Sequence, residues 1–381
     1  MIKIVRKEDC TGCNACVQIC PKQCISMHTD ELGFNYPRVD VSLCVDCGLC
    51  EKVCPVINQD EPQNPVGCWA AKNEDAEVRD NSSSGGVFGA LAADVLKNRG
   101  VVFGAVFADD WSVEHAAVER EEQLGKVQRS KYVQSRIGET YKEAAAALKQ
   151  GRRVLFCGTS CQIAGLRKFL RRDYDDLLTL EVVCHGVPAP GVWQAYLQRI
   201  ADDANPVEAV NFRDKRISWK SFGLSIKRRN GDISFATHTR NPYMLGFLKD
   251  IYLRPSCFEC PSKGGRSGAD ITLADFWGID KAFPQYYEQG CYSLVLAYSD
   301  KGREALKNLP GIVAHEVPYR DALQCNRRIE ECVSRPREAA EFPALFAAHG
   351  FEAVEMMLRK MRGSIFKRIK RRLRRILRKR R

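Results

Sequence analysis

One cysteine spacing occurs twice within the first 55 residues. It runs Cys10-x-x-Cys13-x-x-Cys16-x-x-x-Cys20-Pro21 and then, 34 residues on, Cys44-x-x-Cys47-x-x-Cys50-x-x-x-Cys54-Pro55. No other feature constrains the fold as much, because eight thiols in 45 residues must be tied together by disulfides or by metal. A disulfide framework suits a small exported domain. Met1–Asp9, however, is short, charged and without an apolar centre, so an export signal is not expected. A zinc site takes four ligands and has no use for the further cysteine and the Cys-Pro that close each run.

The spacing is that of a bacterial two-cluster ferredoxin. Three close thiolates of each run hold one 4Fe-4S cube, and the fourth cysteine reaches across to the other cube. Cys10, Cys13, Cys16 and Cys54 then bind one cluster, and Cys44, Cys47, Cys50 and Cys20 bind the other. Such clusters pass single electrons. Residues 1–58 are accordingly expected to form an α+β, ferredoxin-like two-cluster module.

The chain has 381 residues, enough for two or three domains. It has no run of 18 apolar residues, so no membrane span is expected. Eighteen cysteines without an export signal point to a reducing, cytoplasmic compartment. The net charge of +12 is local, since 14 Lys or Arg and no acid lie in residues 359–381, leaving −2 for the rest.

Residues 59–66 are polar, hold Pro62 and Pro65, and read as a linker. Beyond them helix and strand signals alternate. Helices are expected at 86–98, 138–149, 161–171 and 190–202, and strands at 101–107, 153–157, 178–184, 270–275 and 292–298. Shorter β pieces at 207–213, 222–228 and 232–238 surround a hairpin turn at Asn230-Gly231. This predicts an α/β domain over 67–340 with an antiparallel part. Its N-terminal part spans about 67–150 and its C-terminal part about 151–320.

Four body cysteines stand out. Cys161 follows a strand and opens a helix, Cys184 ends the next strand, and Cys257 and Cys260 form a C-x-x-C in a Pro/Gly-rich stretch. Loops at strand C-termini are where α/β proteins gather ligands. Four thiolates there suit a third 4Fe-4S cluster or one zinc ion, and buried free thiols are the plainer alternative. Cys24, Cys68, Cys157, Cys291, Cys325 and Cys332 have no spaced partner and read as buried thiols.

Six segments of the body resemble the coenzyme F420 hydrogenase/dehydrogenase beta subunit family over roughly residues 67–320. They are Ser83-Ser84-Gly85-Gly86, Ser130-Lys131-Tyr132-Val133-Gln134-Ser135, Gly158-Thr159-Ser160-Cys161-Gln162, Phe212-Arg213-Asp214-Lys215, Cys257-Phe258-Glu259-Cys260 and 270–278 (DITLADFWG). Ser160 stands where many members have proline and Ala274 where glycine is usual. The resemblance implies FAD beside a 4Fe-4S cluster, with Cys161, Cys184, Cys257 and Cys260 at the family's cysteine positions.

A hydride carries two electrons and a cluster accepts one, so a flavin is the natural converter. No G-x-G-x-x-G follows a strand, and a Rossmann nicotinamide site is not expected. With the resemblance, Ser84, Gly85 and Gly86 at a helix start become candidate flavin-phosphate binders. Ser130, Lys131 and Tyr132 become donors to the same cofactor. Otherwise they read as a helix cap and a solvated lysine. No catalytic acid or base is assigned, and His185 is as well read as a packed histidine.

The end of the chain, 341–381, reads as a helical basic tail. At 100° per residue Ile365, Phe366, Ile369, Leu373, Ile376 and Leu377 fall within about 120° of arc, with the cations from Lys367 to Lys379 outside it. Such an amphipathic helix suits an anionic membrane surface at the inner face of the cytoplasmic membrane. Its apolar stripe is not what nucleic acid requires. The whole therefore reads as an iron–sulfur flavoprotein oxidoreductase. It would pass electrons between a hydride-carrying coenzyme, FAD, three clusters and a ferredoxin pool or redox partner protein. The alternative is a non-catalytic electron-transfer subunit feeding a separate enzyme, with envelope polysaccharide synthesis one setting.

Overall fold

The computed structural model describes residues 1–287 and 291–362, so the basic stripe at 364–381 lies outside the described residues. In the N-terminal module a hairpin of β1 (Ile25–Thr29) and β2 (Asn35–Val39) separates the two cysteine runs. A short helix sits within each run, Ala15–Ile19 in the first and Leu49–Lys52 in the second. The runs share a backbone shape. Left-handed residues occur at matching places, Gly12 (φ 73°) with Asp46 (φ 49°), and Asn14 (φ 65°) with Gly48 (φ 70°). Glycine, Asn and Asp carry that conformation at least cost, and these turns curl each loop toward one side.

The body is built on β3 (Gly67–Asn73), β4 (Val101–Phe107), β5 (Val113–Val118), β6 (Val154–Thr159), β7 (Leu177–Val182), β11 (Ile271–Asp275), β12 (Ser293–Ala297) and β13 (Ile312–Glu316). They form one eight-stranded sheet in the order β13-β3-β12-β11-β7-β6-β4-β5. The central β11, β7, β6 and β4 are parallel, and the flanking pairs are antiparallel. Both faces of the centre are covered, which is why β4 and β6 read as unbroken apolar runs. Helix Val87–Lys97 packs on one face, and helices Thr140–Lys149 and Ser160–Leu170 on the other. Strands from both sides of residue 150 share this sheet.

A separate antiparallel sheet joins β8 (Val207–Asp214), β9 (Gly223–Arg228) and β10 (Ile233–Thr237), with Gly231 (φ 92°) in the β9–β10 turn. One expected boundary moves. The strand placed over 178–184 ends at Val182: Val183 N still donates to Leu273 O (2.8 Å), and the chain then leaves the sheet, so Cys184 lies in a loop. Residues from 341 are core rather than tail as far as 358. In helix Arg337–His349 and the helix over 352–362, Phe342, Phe351, Val354 and Met357 pack with Trp193, Tyr243, Phe247 and Tyr252.

The cysteine-rich module is packed against this body. Cys13, Ala15 and Val53 share a core with Tyr141, Ile163 and Leu166. Gln18 Oε1 accepts from the backbone N–H groups of Tyr141 (3.1 Å) and Lys142 (3.2 Å), and Asn14 Nδ2 donates to Gly138 O (2.8 Å). Gly191 N donates to Leu32 O at 2.9 Å, and a Cβ on Gly33 would stand 2.5 Å from that nitrogen. Only two glycines permit so close a crossing. No described helix is long and apolar enough to cross a membrane.

Candidate iron–sulfur centres and an adjoining cofactor cleft

The two cysteine runs line two pockets of almost equal size, about 360 and 350 Å³. One is lined by Cys20, Cys44, Cys47 and Cys50, the other by Cys10, Cys13, Cys16 and Cys54. Each pocket thus contains three cysteines of one run and the last cysteine of the other, the crossed arrangement expected from the spacing. Backbone donors point at sulfur: Ile2 N reaches Cys50 Sγ (3.2 Å) and Asp46 N reaches Cys44 Sγ (3.4 Å). In the first pocket Cys47 is exposed and Cys50 buried, whereas Cys10 and Cys13 of the second are buried, Cys13 in a core shared with the body.

The four body cysteines also converge. Cys161 is in the first turn of helix Ser160–Leu170, whose start is fixed by a capping box of Thr159 and Gln162. Cys257 and Cys260 lie on and just after the turn Pro255–Glu259, and Val187 N donates to Cys257 Sγ at 3.4 Å. Burial pushes these thiols up, Cys161 and Cys184 to about 11 and Cys260 to about 12, and raises Cys257 strongly as well. The neighbouring sulfurs of the quartet add to the effect, while the Lys263 ammonium opposes it at Cys184 and Cys260. Thiols held in this way ionise when a metal takes the place of the proton.

Among the described residues no three His, Cys, Asp or Glu side chains close around one point as a single ion requires. Sulfurs sharing one zinc stand about 3.8 Å apart, from tetrahedral bonds of about 2.3 Å. A four-iron cube, with one cysteine per iron, wants them wider apart. Each of the three sets supplies four cysteines, the number that one cube takes.

Other family-like segments gather at the carboxyl edge of the parallel strands, beside Phe107 of β4 and Asp275 of β11, the edge at which open α/β sheets bind ligands. The turn Ser83–Gly86 leads into helix Val87–Lys97 there. Gly85 must be glycine, since a Cβ would stand 2.5 Å from Ala71 O and 2.7 Å from Ser293 N. Ser84 Oγ donates to Tyr292 O (2.9 Å), and Gly86 (φ 87°) starts the helix without a side-chain cap. Ser130 reaches this turn through Ser83, its N–H donating to Ser83 Oγ at 2.8 Å.

Lys131 is not the solvated lysine of the plain reading. Its Nζ donates to Gln128 O (2.9 Å) beside the Phe107 ring, and burial lowers its pKa to about 7. Tyr132 packs on Phe212 and Phe247. Arg213 Nη2 donates to Ser83 O (2.9 Å) and pairs with Asp275 (2.9 Å), while its buried Nε has no partner. Trp277 stacks on Trp219 at 4.7 Å. Segments scattered over nearly 200 residues of sequence thus line one place, with an orphan donor in it.

Several residues here are not evident from spacing. Cys24 Sγ lies 3.4 Å from Cys20 Sγ in the same pocket, and Cys332 Sγ accepts from Cys260 N at 3.2 Å. Cys24 is buried as expected, and Cys332 is half-buried. Lys263 is buried, donating to the Cys184 and Arg328 carbonyls at 2.6 Å each. Arg254 is buried between module and body. The sequence signal for both cations is a basic residue three positions before Cys257 and three after Cys260. His185 Nε2 donates to Asp250 Oδ1 (2.6 Å), its ring edge-on to Phe247, the arrangement of a packed histidine.

Cysteine pockets of this form, joined to an α/β body, define an iron–sulfur protein of the electron-transferring kind. Residues 9–58 match the 4Fe-4S dicluster domain, and residues 151–314 match the C terminus of the coenzyme F420 hydrogenase/dehydrogenase beta subunit. The body from residue 151 to residue 314 is thus similar to the C-terminal part of that beta subunit, and a dicluster module stands ahead of it.

Among its relatives, the coenzyme F420-dependent sulfite reductase of Methanocaldococcus jannaschii is 29% identical over 189 residues, 49% of this chain and 29% of the relative. The 7Fe ferredoxin of Hydrogenibacillus schlegelii is 41% identical over 51 residues, 13% of this chain and 59% of the relative. The chain therefore spans less than two thirds of either. A chain of the F420-reducing NiFe hydrogenase complex from Methanosarcina barkeri superposes with TM-score 0.46 at 15% identity, over 79% of this chain and 94% of that one.

Proposed function

We propose that the protein is a flavin-dependent iron–sulfur oxidoreductase subunit that links a hydride-carrying coenzyme, of the deazaflavin kind named in its relatives, to a one-electron protein partner. When bound, FAD supplies exchange of electron pairs as hydride and the 4Fe-4S clusters supply single-electron exchange. The chain's own residues divide the work by position. Ser84, Gly85, Gly86, Ser130, Lys131 and Tyr132, with Arg213, would hold the flavin at the carboxyl edge. Cys161, Cys184, Cys257 and Cys260 would hold a third cluster beside it. Cys10, Cys13, Cys16 and Cys54 would hold the inner ferredoxin cluster, and Cys20, Cys44, Cys47 and Cys50 the outer one.

Burial keeps water from the inner sets, and the exposed Cys47 rim gives a protein partner its approach. The single observation that supports the reading is the pair of cysteine pockets, each lined by three cysteines of one run and the last of the other. Anaerobic purification tests it. About 12 irons per chain, from three four-iron clusters, together with FAD released on denaturation, is the expected result. About eight irons and no flavin would remove both the third cluster and the cleft's assignment. Reduction of the protein by a reduced deazaflavin under anoxia, followed by its visible bleaching, tests the donor.

A further inference from the structure

Arg254 occupies an unusual place. It is 1% exposed, and no Asp or Glu among the described residues lies within ion-pairing distance of its guanidinium. Its Nε and Nη2 donors go to the cysteine-rich module, and Nη1 goes to a body side chain that itself bonds the module. Nε donates to Cys10 O (2.8 Å), Nη2 to Asn35 O (2.9 Å), and Nη2 also faces Cys10 Sγ at 3.5 Å. Nη1 donates to Gln134 Oε1 (3.0 Å), and Gln134 in turn donates to Thr11 O (3.1 Å). The guanidinium stacks over Tyr36 at 4.3 Å. A Cβ on Gly12 would meet Arg254 Nη1 at 2.9 Å, so the left-handed glycine of the first run exists in part to admit this side chain.

The backbone of the same residue belongs to the other site. Arg254 N donates to Val187 O (3.0 Å), and Arg254 O accepts from Cys257 N (2.9 Å), which starts the turn that carries Cys257 and Cys260. One residue thus touches both cysteine sets, one through its side chain and one through its backbone. A buried cation without a carboxylate is costly unless something anionic compensates it. Four thiolates around a cube outweigh the cube's positive charge, so a loaded site is anionic and becomes more so on reduction.

We propose that Arg254 is a positioning and potential-setting residue, clamping the inner ferredoxin site onto the body quartet and supplying the buried positive charge that favours electron uptake there. This rests on the reading that both sets hold clusters, and the test separates the two. EPR-monitored redox titration of the full, iron-loaded chain is compared for the parent, Arg254→Gln and Arg254→Lys. The inner cluster's reduction equilibrium is expected to fall at least tenfold in Arg254→Gln, which is about 59 mV for one electron. Arg254→Lys should recover most of that shift, and the outer cluster should not move in either variant.

Loss of the inner iron in Arg254→Gln but not in Arg254→Lys supports the same role for the charge. Unmoved potentials in loaded variants, or equal iron loss in both, would overturn it. A parent protein without iron would instead sink the cluster reading beneath it.

Discussion

Gly165 sits in the interior of helix Ser160–Leu170, where alanine ordinarily gains about 1 kcal/mol over glycine. Here the opposite is expected. A Cβ at this position would stand 2.9 Å from Cys13 Cβ, 2.9 Å from Tyr141 Oη and 3.0 Å from Cys13 Sγ. Carbon contacts are comfortable at about 3.5–4.0 Å, so each neighbour must retreat by half an ångström or more. Neither retreats easily. Tyr141 is fully buried and its hydroxyl donates to Gln162 O at 2.7 Å, while Cys13 belongs to the inner pocket.

Overpacking of this kind costs about 1–3 kcal/mol, which leaves Gly165→Ala destabilised by about 1 kcal/mol after the helix gain. Gly125 is the control. It lies in helix Leu124–Val127 with nothing within 4 Å of its Cβ position, so Gly125→Ala should be neutral or stabilising. Urea unfolding under anoxia, followed by far-UV circular dichroism, compares the two. If Gly165→Ala proves as stable as Gly125→Ala, the helix and the cysteine module are not packed as tightly as argued.

Cys54→Ala and Cys20→Ala should each lose about four irons, but from opposite pockets. After Cys54→Ala, Cys10, Cys13 and Cys16 become open to alkylation while Cys44, Cys47 and Cys50 stay protected; the reverse labelling, read by mass spectrometry, refutes the crossed arrangement. His115 is buried, with Ser135 Oγ at 2.8 Å and Cys157 O at 3.0 Å, and burial lowers its pKa to about 4. Above about pH 6.5 both folded and unfolded chains carry it neutral. Below that the unfolded chain takes up a proton that the folded one refuses. Stability is therefore lost as pH falls from 6.5 toward 4, by about 3 kcal/mol in all. His115→Gln should flatten that part of the pH dependence of the urea midpoint, and an unchanged slope counts against it. Finally, the cations and apolar stripe at 364–381 should carry the full chain to anionic vesicles in low salt, and truncation after 362 should abolish co-sedimentation. Equal binding without those residues would locate the membrane contact elsewhere.

The parallel centre of the sheet was legible because β4 and β6 are buried on both faces and advertise it as apolar runs. The strand β3 was not. Its Gly-Cys-Trp-Ala-Ala-Lys-Asn has small residues of weak strand preference, and pairing with β12 and β13 decides its state. The eight ferredoxin cysteines were legible because their spacing is local. The quartet was legible only in part, since Cys161, Cys184 and Cys257 meet through the fold of a sheet. Arg254 contacts Cys10 across 244 residues, and no local pattern records such a pairing. Ser130 meets the Ser83–Gly86 turn through Ser83, 47 residues away, a pairing that a loop's path alone decides.

The crossing at Gly33 and Gly191 has a mechanical consequence. With main chain touching main chain there, the ferredoxin portion is no swinging arm that shuttles cargo between stations. Its route is hard-wired, so electron transfer within the molecule should be indifferent to solvent viscosity, and whatever collects or delivers charge must travel to it.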